Sequence, residues 1–67
     1  MINIGSLSRQ TEVSAKTIRY YESVGLMPEP ARGGNGYRQY TKIDLETLRF
    51  IRRARDLGFT VKEVNSL

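Results

Sequence analysis

The sequence predicts a mainly α domain: a helix-turn-helix with a small two-stranded β-hairpin wing and a following helix pair. Three observations carry this. Two short helical segments meet at "TEV" (residues 11–13), a turn of about four residues being the usual joint of such a pair. A proline-bracketed, glycine-dense stretch, "MPEPARGGNGYRQY" (27–40), then excludes helix. A long amphipathic segment, "KIDLETLRFIRRARDLG" (42–58), follows it, with capping residues at both ends.

Taken in order, "IGSLSRQ" (4–10) suits a first helix, with Ile4 and Leu7 on one face. Ser14 is a good N-cap for a second helix running to Ser23 or Val24. Gly25 is its expected C-cap, and Leu26 supplies the apolar contact that accompanies one. Residues 1–26 thus form the helix-turn-helix. In 27–40, "GGNG" (33–36) reads as a hairpin tip, and "PAR" and "YRQY" as its strands. Tyr37 and Tyr40 then fall on opposite faces. An isolated hairpin is marginal in water, so this one must lean on the helices or on a ligand. Thr41 and Asp44 form a near-capping box for a third helix, stopped by Gly58. At about 100° per residue, Leu48, Ile51 and Ala54 face inward, and Phe50 and Leu57 are expected to widen that apolar arc. Glu46, Arg49, Arg53 and Asp56 gather opposite, where the arginines pair with the acids. Thr60 and Glu63 cap a fourth helix, "VKEVNSL", which lacks a stop signal, as if the chain were cut within it. Residues 41–67 make up this second, truncated helix pair.

Composition narrows the function. With 67 residues and no cysteine, this is one domain near the lower limit for a self-sufficient core. There is no histidine, and the seven carboxylates show no convergent pair, so catalysis and metal binding are not expected. "GGNG" neither follows a buried strand nor opens a helix, which makes it a poor phosphate loop. No apolar run is long enough for a membrane span and no secretory signal is visible, so a cytoplasmic protein is expected. The net charge of +4 favours a polyanionic partner.

Basic residues sit on each element that a winged helix would present. Lys16 and Arg19 share a face of the second helix, and Thr17 is short enough to touch a base edge. An arginine there suits guanine in the major groove. Arg32 and Arg38 flank the hairpin tip, and Arg52, Arg53 and Arg55 form a third cluster. Of the tyrosines, Tyr20 or Tyr21 is core or contact, and Tyr37 and Tyr40 are contacts or simply good strand formers.

The anchors "TIRYYE", "GL.P.P.R", "NGYR.Y" and "LRFI..AR.LGF", in that order and spacing, resemble the N-terminal DNA-binding domain of the MerR family of bacterial transcription regulators. The likeness covers essentially the whole chain. It implies a homodimer, formed through a dimerisation helix and followed by an effector domain, both absent from these residues. That dimer binds palindromic promoter DNA and distorts it between the −35 and −10 elements, acting on RNA polymerase indirectly. The protein would thus be nucleoid-associated. No cofactor is expected in these residues, since a metal ion or other effector would bind in the absent C-terminal part. "RRARDLGF" resembles the metal-responsive branch, including its copper regulators. By resemblance, Lys16, Thr17 and Arg19 make major-groove and nearby phosphate contacts, and Tyr21 and Tyr37 grip phosphate. Arg32 and Arg38 serve the wing, and Arg52 and Arg55 the third helix. Tyr20 and Tyr40 complete the candidate set. On this reading Tyr21 clamps the DNA backbone while Ile18 packs. Two residues depart from the family pattern. Glu12 stands where the turn is commonly glycine, and Ser8 where alanine is usual. A left-handed Glu12 would be strained by roughly 1 kcal/mol. A stand-alone architectural or protein-docking module of the same fold is the alternative.

Overall fold

A computed structural model describes residues 2–34 and 36–67. The elements follow the expected order: α1 (Ile4–Thr11), α2 (Ala15–Ser23), β1 (Ala31–Arg32), β2 (Arg38–Gln39), α3 (Lys42–Asp56) and α4 (Val61–Asn65). The strands pair antiparallel, Ala31 opposite Gln39 and Arg32 opposite Arg38.

Local chemistry sets the boundaries. The Asn3 side chain accepts from the Ser6 N–H at 2.8 Å and opens α1, a cap not foreseen from sequence. Ser14 accepts from the Thr17 N–H and opens α2. Both Thr41 with Asp44 and Thr60 with Glu63 form complete capping boxes. The hydrogen bonds from Thr60, its backbone N–H first, hold the Glu63 carboxyl below its ordinary range. Glycines at φ 78 (Gly25) and φ 99 (Gly58) end α2 and α3. In both places the next amide reaches back to the helix, Leu26 N–H to Tyr21 O at 2.9 Å and Phe59 N–H to Ala54 O at 3.1 Å. The end of α1 has no glycine. Glu12 takes the left-handed conformation there, at φ 58 and ψ 29.

The core gathers Leu7 from α1, Ile18 from α2, Met27 and Tyr40 from the wing, and Leu48 and Ile51 from α3. Val13, Tyr21, Leu45, Ala54 and Val64 complete it. Phe50 and Leu57 do not join: they are 51% and 76% exposed. Phe50 lies two residues, or about 200°, round α3 from buried Leu48, and Leu57 sits beyond the last turn. Ser8 is half-buried, and since no buried side-chain oxygen of the described residues lacks a partner, its unbonded hydroxyl keeps access to water.

The wing leans on the chain start. Ile2 and Tyr40 exchange two backbone hydrogen bonds, at 2.9 and 2.7 Å, so residue 2 adds a bridge to the hairpin. At its tip the Gly36 N–H bonds to Gly33 O at 2.9 Å; Asn35, within the expected tip, lies outside the described residues. Among the described residues, no helix is long and apolar enough to cross a membrane.

Leu48 is fully buried, and its truncation leaves a cavity in a small core. Leu48→Ala is expected to cost about 2–5 kcal/mol, a large part of the roughly 3–10 kcal/mol available to a domain this size. Urea unfolding followed by circular dichroism checks it.

Candidate nucleic-acid interface

The site begins with a charge that sequence reading missed. Helical periodicity sends Ile18 and Tyr21 of α2 into the core and leaves Lys16, Arg19 and Tyr20 outside. Glu22, four residues after Ile18, lies at the inner edge, its side chain only 6% exposed. A carboxylate so placed needs donors, and the wing supplies them. The Tyr40 hydroxyl donates to Glu22 Oε2 at 2.6 Å, and Arg38 Nε donates to Oε1 at 3.3 Å. Burial, then the hydrogen bond and negative charge of Glu22, push the Tyr40 hydroxyl well above its ordinary pKa, against the smaller opposing effect of Arg38 and Arg19. The i, i+4 spacing of Glu22 from Ile18 was the available signal.

With the wing held there, a concavity of about 620 Å³ opens between α2, residues 2–4 and the hairpin. Arg19, Arg32, Arg38 and Tyr37 line it, and no acidic residue does. Arg32 Nη1 donates to Gly36 O at 3.1 Å and braces the hairpin tip. Tyr37 is 72% exposed. Lys16 is exposed on the outer face of α2, and Thr17, half-buried, accepts a hydrogen bond from Ser14 Oγ at 2.9 Å. Tyr20 stands half out of the surface, its ring tilted against Tyr21 with centroids 6.0 Å apart.

Other expected contacts sit differently. Tyr40 is fully buried and bonded to Glu22, so it cannot touch a ligand and is removed from the candidate set. The Tyr21 ring is core, at 7% exposure. No buried side-chain oxygen or nitrogen of the described residues lacks a partner, so the unpaired Tyr21 hydroxyl lies at the surface. Its ring packs beside Ile18, and only the hydroxyl remains for a phosphate. Outside that concavity, Arg55 Nη1 donates to Phe59 O at 2.8 Å across the turn after α3. Arg52 is engaged with Thr11 O, Glu12 and Asp56. Asp56 thus pairs with Arg52, and the expected pairing of Arg49 and Arg53 with acids is absent among the described residues.

A concave, arginine-lined surface beside an exposed helix face suits a sugar-phosphate backbone, with bases within reach of the helix. Among the described residues, no three His, Cys, Asp or Glu side chains gather as they would around a metal ion.

Comparison with known proteins agrees. A family model described as "MerR HTH family regulatory protein" matches residues 2–67. The chain is 52% identical over 66 residues to the HTH-type transcriptional regulator HmrR of Rhizobium leguminosarum bv. viciae, covering 98% of this chain and 50% of that one. The transcription regulator PbrR691 of Ralstonia metallidurans CH34, solved in complex with lead(II), superposes with a TM-score of 0.87 at 41% identity, covering 98% of this chain and 52% of that one. HiNmlR, a MerR family regulator lacking the sensor domain and solved bound to promoter DNA, gives 0.88 at 26% identity, with 97% and 49% covered. The chain therefore spans about half the length of the relatives it matches.

The Tyr40–Glu22 pair makes stability fall in alkali. The hydroxyl is neutral in the folded state at a pH where it would ionise unfolded, so its contribution is intact below pH 10.0, the ordinary value, and is lost as pH rises beyond it. Tyr40→Phe is expected to flatten that alkaline slope in thermal melts between pH 9 and 12. At neutral pH it should cost about 1–3 kcal/mol, because Glu22 loses its shortest hydrogen bond.

Proposed function

Because the chain belongs to the MerR HTH family of regulatory proteins, we propose that it serves a transcription regulator that binds palindromic promoter DNA as a homodimer and acts by reshaping that DNA. It is a DNA-binding regulator domain and not an enzyme. The observation that carries the reading is the convergence of Arg19, Arg32, Arg38 and Tyr37 on one groove beside α2.

Lys16, Thr17 and Arg19 enter the major groove, where Arg19 is placed to give a guanine two parallel hydrogen bonds. Arg32, Arg38 and Tyr37 hold the backbone on the wing side, with the Tyr21 hydroxyl at the rim. Arg55 meets phosphate outside the groove, beside the turn before α4. Phosphate grips at two places on a short domain favour DNA that bends between them. Smooth bending of such a site costs of order 1–6 kcal/mol, so binding selects for deformable sequence. Distortion of that kind between the −35 and −10 elements controls RNA polymerase without direct contact. The names of the relatives, several of them metal regulators, support a metal effector. Its ligands would lie outside these residues, which hold neither cysteine nor histidine.

The test is titration of the chain against duplex DNA from immediately upstream of its own gene and against a scrambled duplex, at two salt concentrations. Marked preference for the upstream duplex is expected, and Arg19→Ala should cost about 1–3 kcal/mol on it. Arg32→Ala should weaken both duplexes alike and reduce the slope of log K against log salt by about 0.9. Equal binding to both duplexes by the unaltered chain contradicts sequence-specific regulation and leaves an architectural binder. An Arg19→Ala chain with unchanged preference removes Arg19 from base readout.

A further inference from the structure

The turn between α1 and α2 is closed by a contact from forty residues away. Glu12 is the one non-glycine residue with positive φ among those described. Its Oε2 receives Arg52 Nη1 at 2.6 Å. The same nitrogen donates to Thr11 O at 3.2 Å, on the last residue of α1, whose carbonyl has no partner within the helix. On its other side, Arg52 Nε faces Asp56 Oδ2 at 3.6 Å. The hydrogen bond to Glu12, above all, raises the Arg52 pKa. Arg49 and Arg53 line the adjoining groove with Gln10 and Thr11 and carry no ion pair among the described residues. Arg52 alone of the three is neutralised, by two carboxylates and a carbonyl.

With Nη1 held by two acceptors and two carboxylates beside it, this guanidinium has much of its charge compensated and attracts phosphate less. Its partners instead lie in the turn that launches α2: Glu12 precedes by two residues Ser14, whose side chain caps that helix. Thr11 Oγ1, buried, ties the same turn together by donating to Leu7 O at 2.7 Å and accepting from the Val13 N–H at 3.4 Å. We propose that Arg52 is a positioning residue for the recognition helix: with Glu12 it straps the turn to α3 and sets the direction in which α2 leaves it, without touching phosphate. This rests on the DNA-binding reading above. An exposed ion pair contributes little to global stability, so the strap acts on geometry.

Two variants test it, Glu12→Gln and Arg52→Gln, each titrated with the upstream and scrambled duplexes over a range of salt. The strap predicts that both variants lose several-fold of the preference for the upstream duplex, with the slope of log K against log salt unchanged. Glu12 carries no charge that could grip phosphate, so its variant is decisive even where Arg52→Gln fails to fold. Tighter binding of both duplexes by Glu12→Gln, with a slope steeper by about 0.9, would show Arg52 released onto phosphate and overturn the proposal. So would a matching loss of slope in Arg52→Gln. Amide hydrogen exchange of the free chain decides the strap independently of DNA. Exchange at Val13, Thr17 and Ile18 should quicken several-fold in Glu12→Gln, and unchanged exchange overturns the proposal. An unaltered chain that prefers neither duplex would sink the sequence-specific reading above and leave that exchange result standing.

Discussion

One nearly buried carboxylate organises this domain. Glu22 sits between α2 and the wing at 6% exposure, holding the Tyr40 hydroxyl and the Arg38 guanidinium together. Removing a charge from water is unfavourable unless hydrogen bonds replace what water gave, so Glu22 strongly favours the one wing position that supplies both donors. A hairpin of two-residue strands has no stability of its own. Its place comes from this network, from the Ile2–Tyr40 bridge and from the burial of Met27 and Tyr40. The same bond that anchors the wing also aims Arg38. Fold and site therefore share a part: the groove that collects Arg19, Arg32 and Arg38 exists because Glu22 fixes its far wall.

Features governed by local chemistry were legible in the sequence. Ser14, Thr41 with Asp44 and Thr60 with Glu63 cap where read, because a side chain meeting an amide three residues on needs no tertiary help. Gly25 and Gly58 end their helices for the same reason. The left-handed conformation at Glu12 was legible only through the family resemblance, in which glycine commonly holds that place. What failed depended on where elements lie against each other. Phe50 and Leu57 looked like core because periodicity marks an apolar arc without saying how much of it neighbours cover. Tyr40 looked like a contact because strand alternation does not say which face of a lone hairpin is buried.

The arginines show the same limit. Composition and spacing mark a basic residue, and only geometry distinguishes those already spoken for. Arg38 is shared between Glu22 and the groove, Arg55 braces the turn after α3, and Arg52 faces two carboxylates. Arg19 and Lys16 stand exposed on α2. The net charge of +4 thus becomes a directed field, with arginines outside any ion pair of the described residues at Arg19 and Arg32 in the groove beside α2 and at Arg49, Arg53 and Arg55 on α3.

The most direct measurement of whether Glu22 sets the wing is the orientation of the hairpin relative to α2 in solution, from residual dipolar couplings of the free chain and of its Glu22→Ala variant. The account predicts one well-defined orientation in the unaltered chain, matching the Glu22–Tyr40 geometry. In the variant it predicts a broadened or shifted orientation while α1, α3 and α4 keep theirs. A wing that holds the same orientation without the Glu22 carboxylate would contradict it, and would assign the placement of the wing to packing and the Ile2 bridge alone.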